Sequence, residues 1–201
     1  MGKNMSQKHR DFKRSFDLLV SFIGLFLFGW LILVAYIIAA IETKSSGFFV
    51  QKRIGMNGKA FRVIKIKTMK KVPNQNSTVT TSDDVRITKS GKIFRKLKID
   101  ELPQLFNVFI GDMSFVGPRP DVEGYADQLQ GEDRIVLSIR PGITGPATLY
   151  YRNEEEILAA QENPEKYNNE VIYPHKTEMN KSYIYNYSFL KDIYYIFKTI
   201  F

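Results

Sequence analysis

The longest apolar run in the chain extends from Leu18 to Ile41 and contains no charged residue. A helix of this length would measure about 36 Å, enough to cross a hydrocarbon core about 30 Å thick. The run exceeds the usual apolar part of a secretory signal, about 7–15 residues, and no clean small-residue cleavage site follows it. The pattern predicts a membrane-embedded helix at residues 18–41, between a basic segment, 1–17, and a following domain, 42–201.

Cations flank this apolar run on both sides. A helix that crossed the membrane would leave one basic flank on the face that positive residues disfavour. Gly29 lies near the middle of the run, where two half-helices of about 11–12 residues could meet and return the chain to the same face. We therefore expect a re-entrant helix, with a spanning helix as the alternative.

Beyond the membrane helix, two short segments, Phe48–Arg53 and Ala60–Met69, read as strands on either side of a turn that contains Asn57-Gly58. This arrangement predicts a β-hairpin. In the second strand, Lys65 and Lys67 continue an otherwise apolar face, so they either reach a bound phosphate or extend to water. Residues 70–84 are polar and predict a surface loop.

Two adjacent acids, Asp100 and Glu101, follow a run of six cations: Arg86, Lys89, Lys92, Arg95, Lys96 and Lys98. Apolar residues then recur at helical spacing from Leu102. Asp100 is a natural N-cap for that helix, and Pro103 falls in its first turn, where a missing N–H costs little. The stretch is either an ionised carboxylate beside cations that gather phosphates, or a capping aspartate on a solvated basic surface.

Two loops rich in proline and glycine each present an arginine. Pro118 and Pro120 bracket Arg119, and a stiff loop of this kind suits phosphate binding by a guanidinium group. The alternative is a structural turn in which Arg119 pairs with a nearby aspartate. The second loop, residues 140–146, begins with Arg140, and its amides either meet an anion or only direct the chain.

Two further segments predict amphipathic helices at the membrane surface. One begins near Ser90 and carries apolar residues on one side with cations elsewhere on its surface. The other is the aromatic-rich tail, residues 180–201, which suits the depth of the lipid headgroups. The expected fold class is α+β: a membrane helix, a small and mostly helical domain with a short β-hairpin, and amphipathic interfacial helices.

The composition limits the kinds of partner, nucleophile and metal site that the protein can have. The net charge of +8 and the isoelectric point near 9.5 indicate an anionic partner, such as a nucleic acid, a phospholipid surface or a phosphorylated substrate. The chain has no cysteine, so disulfides, thiolate nucleophiles and cysteine zinc sites are excluded. With two histidines far apart, any metal must be held by oxygen ligands, which favours Mg²⁺ or Mn²⁺.

Six segments carry a resemblance to a known family: Lys13–Asp17, Arg53–Lys59, Lys65–Met69, Ile99–Val108, Gly111–Pro120 and Arg140–Gly145. In this order and spacing they resemble the bacterial sugar transferases, the monotopic phosphoglycosyltransferases that load a sugar phosphate onto a polyprenyl phosphate. The resemblance covers nearly the whole chain. Two positions depart from the family pattern: Gly29-Trp30 stands where Ser-Pro is usual, and Lys67 where arginine is common.

The resemblance implies that Asp100 is the catalytic nucleophile and that Glu101 is its partner, with both at an Mg²⁺ site. It matches Lys65, Arg95 and Arg119 to basic substrate-binding positions, and we add Arg140 to that group. The implied reaction transfers a sugar 1-phosphate from a UDP-sugar to polyprenyl (undecaprenyl) phosphate through a covalent aspartyl intermediate, and UMP is released. Such a step initiates bacterial glycoconjugate assembly.

The same resemblance implies that residues 42–201 are a catalytic domain associated with the membrane. It places this domain at the cytoplasmic face of the bacterial inner membrane, in contact with phospholipid. It implies no nucleic-acid partner and leaves a homo-oligomer open. Two other functions fit the same residues: a membrane-anchored Mg²⁺-dependent lipid phosphatase, and a non-catalytic module that binds anionic lipid. The phosphatase would transfer the phosphoryl group to water, whereas the module would bind lipid with a steep dependence on salt.

Overall fold

The computed structural model of the chain describes residues 5–70 and 84–201. Its elements in chain order are α1 (Gln7–Thr43), β1 (Phe48–Ile54), β2 (Ala60–Ile66), α2 (Lys89–Lys96), α3 (Gln104–Ile110), β3 (Ser114–Val116), β4 (Gly142–Thr144), α4 (Pro146–Tyr150), α5 (Glu154–Ala159), α6 (Pro164–Tyr167), α7 (Tyr173–Tyr185) and α8 (Phe189–Ile200). The predicted polar loop, residues 70–84, lies almost entirely outside the described residues.

The mostly helical α+β architecture predicted from the sequence is confirmed. Strands β1 and β2 form the predicted antiparallel hairpin, in which Phe49 faces Lys65 and Arg53 faces Phe61. Strand β2 ends at Ile66, three residues before the predicted end. A second, smaller sheet pairs β3 with β4 in parallel.

The apolar run lies within α1, a single helix of 37 residues that also includes most of the basic segment. The helix continues through Gly29, so the predicted division into two half-helices is not observed. One glycine costs a helix only about 1 kcal/mol, and the proline that usually breaks a helix is absent from this position. The helix ends at Thr43, and its C-cap residue, Lys44, adopts a left-handed conformation with φ 49°.

Most of the apolar surface of α1 is exposed. It is the one helix among the described residues that is long and apolar enough to cross a membrane. Large side chains along it, such as Phe26 and Trp30, have no protein cover. One narrow stripe of the helix is buried: Lys13, Asp17, Ser21, Ala35 and Ala39. An exposed apolar surface of this extent is typical of a helix embedded in lipid.

Both ends of α1 bind the same domain. Near its N-terminus, Asp17 Oδ1 accepts a hydrogen bond from the backbone N–H of Phe115 at 3.1 Å. Near its C-terminus, Glu42 accepts hydrogen bonds from the backbone and hydroxyl of Ser90, at the start of α2. The helix is therefore attached to the domain on both sides of its apolar run.

Helix α3 begins at Gln104, so the prediction that Asp100 caps it is wrong. Lys98 adopts a left-handed conformation with φ 56°, and Ile99–Glu101 form a separate 3₁₀ turn. This turn separates α2 from α3. Pro103 occupies the N-cap position of α3 and makes no side-chain hydrogen bond there. The residue pattern favoured a cap at Asp100, but the left-handed turn at Lys98 places the two acids in a separate turn before the helix.

The C-terminus of α3 is bound by two arginines from distant parts of the chain. Arg14 donates hydrogen bonds to the carbonyl oxygens of Val108 and Phe109, at 2.6 and 2.8 Å. Arg140 Nε donates to the carbonyl oxygen of Gly111 at 2.8 Å. Carbonyls at a helix C-terminus lack partners within the helix and carry partial negative charge, so the arginines stabilise this end of α3.

A buried ion pair joins α1 to the C-terminal helix. Asp192 accepts hydrogen bonds from Lys13 Nζ at 2.5 Å and from the hydroxyl of Tyr183 at 2.6 Å. The Lys13 and Asp192 side chains are 8% and 2% exposed. Because both charges are removed from water, the pairing compensates for their burial. Burial also raises the pKa of Asp17, and the charge of Lys13 acts to lower it.

We expect Asp192→Asn to destabilise the protein strongly, because it removes the carboxylate that binds the buried Lys13 ammonium. Breaking such a pair costs about 3–5 kcal/mol, whereas Glu123→Gln, which removes an exposed partner of Lys52, should cost less than about 1 kcal/mol. Thermal unfolding of the detergent-solubilised variants measures both. Equal effects of the two substitutions would contradict a structural role for the buried pair.

Candidate active site

The two adjacent acids lie at one end of α3, close to cations from two other segments. Lys65 Nζ, on β2, donates to Glu101 Oε1 at 2.9 Å, and Arg119 Nη2 donates to the same oxygen at 3.1 Å. The predicted residues Asp100, Glu101, Lys65 and Arg119 are therefore brought together. These side chains come from regions of the sequence that only the tertiary fold makes neighbours.

The two cations determine the protonation of Glu101. Burial by itself would raise the pKa of this carboxyl, but Arg119 and Lys65 hold it well below its usual range. The negative charge of Glu101 in turn raises the pKa of Arg119, whereas burial lowers the pKa of Lys65. Glu101 is accordingly a carboxylate at neutral pH, and its neighbours balance its charge.

Asp100 has a different environment. Burial raises the pKa of its carboxyl, and the charge of Glu101 raises it further, while Lys65, Lys98 and Arg95 act in the opposite direction. Its Oδ1 atom is buried and has no hydrogen-bond partner among the described residues. A buried oxygen without a partner is costly, so this atom is available to a ligand.

The acids fit a magnesium ion that is shared with a substrate. Among residues 5–70 and 84–201, no group of three or more His, Asp or Glu side chains is placed to hold a metal ion. Mg²⁺, however, is usually held by one or two carboxylates together with substrate phosphates and water. Asp100 and Glu101 provide this number of carboxylates, and the unpaired Asp100 Oδ1 is the kind of ligand the ion prefers.

Asn107 fixes the distance between α3 and the strand that carries Lys65. Its Nδ2 donates to the carbonyl oxygen of Arg62 at 2.7 Å, and its Oδ1 accepts from the N–H of Ile64 at 3.1 Å. The side-chain amide thus makes the hydrogen bonds that a neighbouring strand would make at this edge of β2. Because Lys65 follows Ile64 directly, this contact positions the ammonium group at Glu101.

The loop that presents Arg119 rests on the second proline–glycine loop. The N–H of Gly142 donates to the carbonyl oxygen of Pro118 at 2.8 Å, and that of Gly117 to the carbonyl oxygen of Thr144 at 2.9 Å. A Cβ atom on Gly142 would lie 2.2 Å from the Gly117 nitrogen, so no larger residue fits. These amides bind protein carbonyls, which favours the interpretation that residues 140–146 direct the chain.

The remaining two predicted residues have other contacts. Arg95 donates to Thr68 Oγ1 at 3.1 Å, although its charge still lowers the pKa of Asp100. Arg140 binds the carbonyl of Gly111, at the opposite end of α3 from the acids. The structure therefore does not bring Arg140 to the site, because its side chain is occupied with the terminal carbonyls of that helix.

Sequence reasoning missed a groove beside the acids. One face of the hairpin and the start of α3 line it with Phe49, Gln51, Arg53, Val63, Lys65, Gln104, Arg119 and Pro120. The alternation of side chains along a strand could have placed Phe49, Gln51 and Arg53 on one face. The residue pattern does not give the strand register, which pairs Phe49 on this face with Lys65.

A second missed residue is Asp121, which directly follows the Arg119 loop. Burial raises the pKa of this carboxyl to about 6, although Lys176, Arg53 and a hydrogen bond from Tyr173 act to lower it, and Glu154 raises it slightly. Asp121 thus lies near Arg53, which lines the groove, and near Tyr173 and Lys176 of α7. No local motif distinguishes it from an ordinary surface aspartate.

We expect Asp121 to give the stability a specific pH dependence. Its folded-state pKa of about 6 exceeds its ordinary value of 3.8, so its contribution is fully present below the lower value and is lost as the pH rises through 6. The melting temperature of wild-type protein relative to Asp121→Asn should therefore fall between pH 4 and pH 7. A difference that stays constant across this range would contradict the buried placement of the carboxyl.

Comparison with known proteins identifies the family of the chain. A family model described as "Bacterial sugar transferase" matches residues 8–201. The chain is 35% identical to a "UDP-N-acetylgalactosamine-undecaprenyl-phosphate N-acetylgalactosaminephosphotransferase" of Aeromonas hydrophila, over 94% of the chain and 42% of that protein. It is 37% identical to a "UDP-glucose:undecaprenyl-phosphate glucose-1-phosphate transferase" of Klebsiella pneumoniae, over 94% of the chain and 39% of that protein.

A third relative has a length closer to that of the chain. "Exopolysaccharide production protein ExoY" of Sinorhizobium fredii is 32% identical over 94% of the chain and 83% of that protein. The chain thus spans about 40% of the length of the Aeromonas and Klebsiella relatives and most of the length of ExoY. The chain belongs to the bacterial sugar transferase family, which confirms the predicted resemblance and the predicted class of enzyme, a transferase.

Proposed function

We propose that this protein transfers a sugar 1-phosphate from a UDP-sugar to polyprenyl phosphate, most simply undecaprenyl phosphate, and releases UMP. The product is a polyprenyl diphosphate-sugar, the first lipid-linked unit of a bacterial glycoconjugate. One observation carries the proposal: the buried, unpaired Asp100 Oδ1 lies beside Glu101, which Lys65 and Arg119 hold as a carboxylate. The relatives differ in the sugar that their names specify, so the donor is proposed only as a UDP-sugar.

In the first step, a carboxylate oxygen of Asp100 attacks the phosphorus that carries the sugar. The bond from that phosphorus to the bridging oxygen breaks, and UMP leaves with the electron pair. Carboxylates are established covalent nucleophiles toward phosphoryl groups when the repulsion between the anions is suppressed. The positive charges of Lys65, Lys98 and Arg95, which act on Asp100, suppress this repulsion.

In the second step, an oxygen of the polyprenyl phosphate attacks the phosphorus of the aspartyl intermediate. The bond to Asp100 breaks, and the carboxylate is restored. Arg119 and Lys65, which pair with Glu101, are positioned to stabilise the negative charge of the phosphates in both steps. Asp100 and Glu101 would hold Mg²⁺, which when bound supplies further positive charge to the phosphate oxygens.

The membrane helix explains how the lipid acceptor reaches this site. Both ends of α1 bind the same domain, through Asp17 and Glu42, and a helix that crossed the bilayer would put these residues on opposite faces. This supports a helix that stays on one side of the bilayer, which we assign to the cytoplasmic face of the inner membrane. The acceptor's phosphate would then lie at the depth of the headgroups, next to Asp100.

Helix α8 supports the same orientation. Its apolar residues Leu190, Phe197 and Ile200 are exposed, and the ring of Phe189 contacts Phe12 and Phe16 on α1. The exposed face of α8 therefore continues the apolar surface of the membrane helix. We propose that α8 lies in the interface among phospholipid headgroups.

We expect Asp100→Asn to abolish turnover, by at least about 10³-fold given the loss of a covalent nucleophile, without unfolding the protein. UMP release from a panel of UDP-sugars measures turnover, and the melting temperature monitors the fold. Wild-type protein given UDP-sugar alone should also form a sugar-phosphate adduct at Asp100, detectable by mass spectrometry. Near-normal activity of the variant, or an adduct on another residue, would exclude the proposed mechanism. Phosphate release from polyprenyl phosphate in the absence of any UDP-sugar would instead indicate a lipid phosphatase.

We also expect reporters fused at the N-terminus and after Phe201 to lie on the same, cytoplasmic side of the membrane. The reason is that α1 is bound to one domain on both sides of its apolar run. Accessibility of single introduced cysteines to a membrane-impermeant reagent, in intact and in permeabilised cells, measures the side. The native chain has no cysteine, so each introduced thiol reports on one position. Reporters on opposite sides would mean that the helix spans the bilayer.

A further inference from the structure

The groove beside the acids presents more donors than the paired residues use. Its hairpin face carries Phe49, Gln51 and Arg53 on β1 next to Lys65 on β2, as the antiparallel register requires. Lys65 and Arg119 already bind Glu101. Arg53 adds a third positive charge to the groove, and it has no role in the chemistry described above.

The hydrogen-bond acceptors of Arg53 are neutral, although the nearby charge of Asp121 also acts on it. Its Nε and Nη2 donate to Gln51 Oε1 at 3.1 and 2.7 Å, and its Nη1 donates to the carbonyl oxygen of Pro120 at 3.2 Å. Gln51 is itself a side chain of the groove, so its amide oxygen is an acceptor that a ligand can replace. An anionic oxygen would bind the guanidinium more strongly than an amide does.

Gln104 provides a second, independent indication of a ligand. Its side chain lines the groove and is 3% exposed, yet its Nε2 is buried without a hydrogen-bond partner among the described residues. An unpaired buried donor is destabilising. A ligand oxygen in the groove that accepts a hydrogen bond from Nε2 would supply the missing partner.

We propose that Arg53 and Gln104 form a subsite for the phosphate that leaves with the nucleotide. The inference rests on the proposed function, in which a diphosphate is cleaved beside Asp100. The two phosphates share one bridging oxygen, so the leaving phosphate must lie next to the reacting one. The groove begins at Lys65 and Arg119, both bound to Glu101, and continues along the hairpin face to Arg53.

This assignment explains why the groove combines three cations with an amide donor. The reacting phosphate is served by Lys65 and Arg119, whereas the leaving phosphate gains negative charge as its bridging bond breaks. A guanidinium group and an N–H donor aimed at that charge favour departure of the nucleotide. Because both groups also bind the ground-state diphosphate and free UMP, their loss should weaken the binding of each.

The test compares Arg53→Gln, Arg53→Lys and Gln104→Leu in the full-length chain, reconstituted in lipid nanodiscs. Arg62→Gln is the matched control, because Arg62 is an exposed arginine on the opposite face of the same hairpin. The measurements are KM for the UDP-sugar that supports turnover, the inhibition constant of UMP, KM for polyprenyl phosphate, and the melting temperature. Direct calorimetric titration with UMP accompanies them.

We expect Arg53→Gln to raise KM for the UDP-sugar and the inhibition constant of UMP by about tenfold to a hundredfold, as for loss of a charged hydrogen bond. Arg53→Lys should recover part of this loss, since lysine keeps the charge but not the fork. Gln104→Leu should weaken UMP by about fivefold to tenfold while leaving the melting temperature unchanged or higher, because it removes an unpaired buried donor. Arg62→Gln should resemble wild type.

Unchanged UMP inhibition in Arg53→Gln and Gln104→Leu would overturn the subsite. So would an effect confined to KM for polyprenyl phosphate, which would place the acceptor in the groove instead. Either result leaves the proposed function intact if Asp100→Asn is inactive. Conversely, if wild-type protein releases no UMP from any UDP-sugar, the proposed function fails, and calorimetric binding of UMP by wild type and the two variants decides the subsite alone.

Discussion

Lys65 and Arg119 donate to the same oxygen of Glu101, and the arrangement of the site depends on this shared contact. It joins the β-hairpin, the turn before α3 and the proline-bracketed loop at one point. It also keeps Glu101 charged despite burial, which in turn raises the pKa of Asp100 next to it. The two adjacent acids therefore have different properties, although their sequence neighbourhood is the same.

Helix α3 connects the acids to α1. Arg14 of α1 and Arg140 bind the carbonyls at its C-terminal end, while Asn107 fixes it to β2. A short helix held in this way cannot shift without moving the acids relative to Lys65. The apolar helix and the acids are thus connected through α3, which suits the proposed reaction between a soluble nucleotide sugar and a phosphate held at the lipid surface.

Local patterns predicted the elements better than their boundaries and contacts. The hairpin, the helix that begins near Ser90 and the apolar helix are present, because periodicity and turn residues act over a few positions. The predicted cap at Asp100 is absent, since the left-handed turn at Lys98 is not encoded by a glycine. Arg140 was misplaced because a conspicuous loop arginine can serve a helix terminus as readily as a phosphate.

The sequence by itself determined the long apolar helix, the absence of thiol chemistry, the family resemblance and the pair of acids as the candidate centre of the site. These depend on residue type, order and spacing, which the chain carries locally. The tertiary structure alone decided that Lys65 and Arg119 share Glu101, that Arg140 does not join them, and that Arg53 and Gln104 line the adjoining groove. Such contacts depend on strand register and on the packing of segments distant in sequence, which no local pattern specifies.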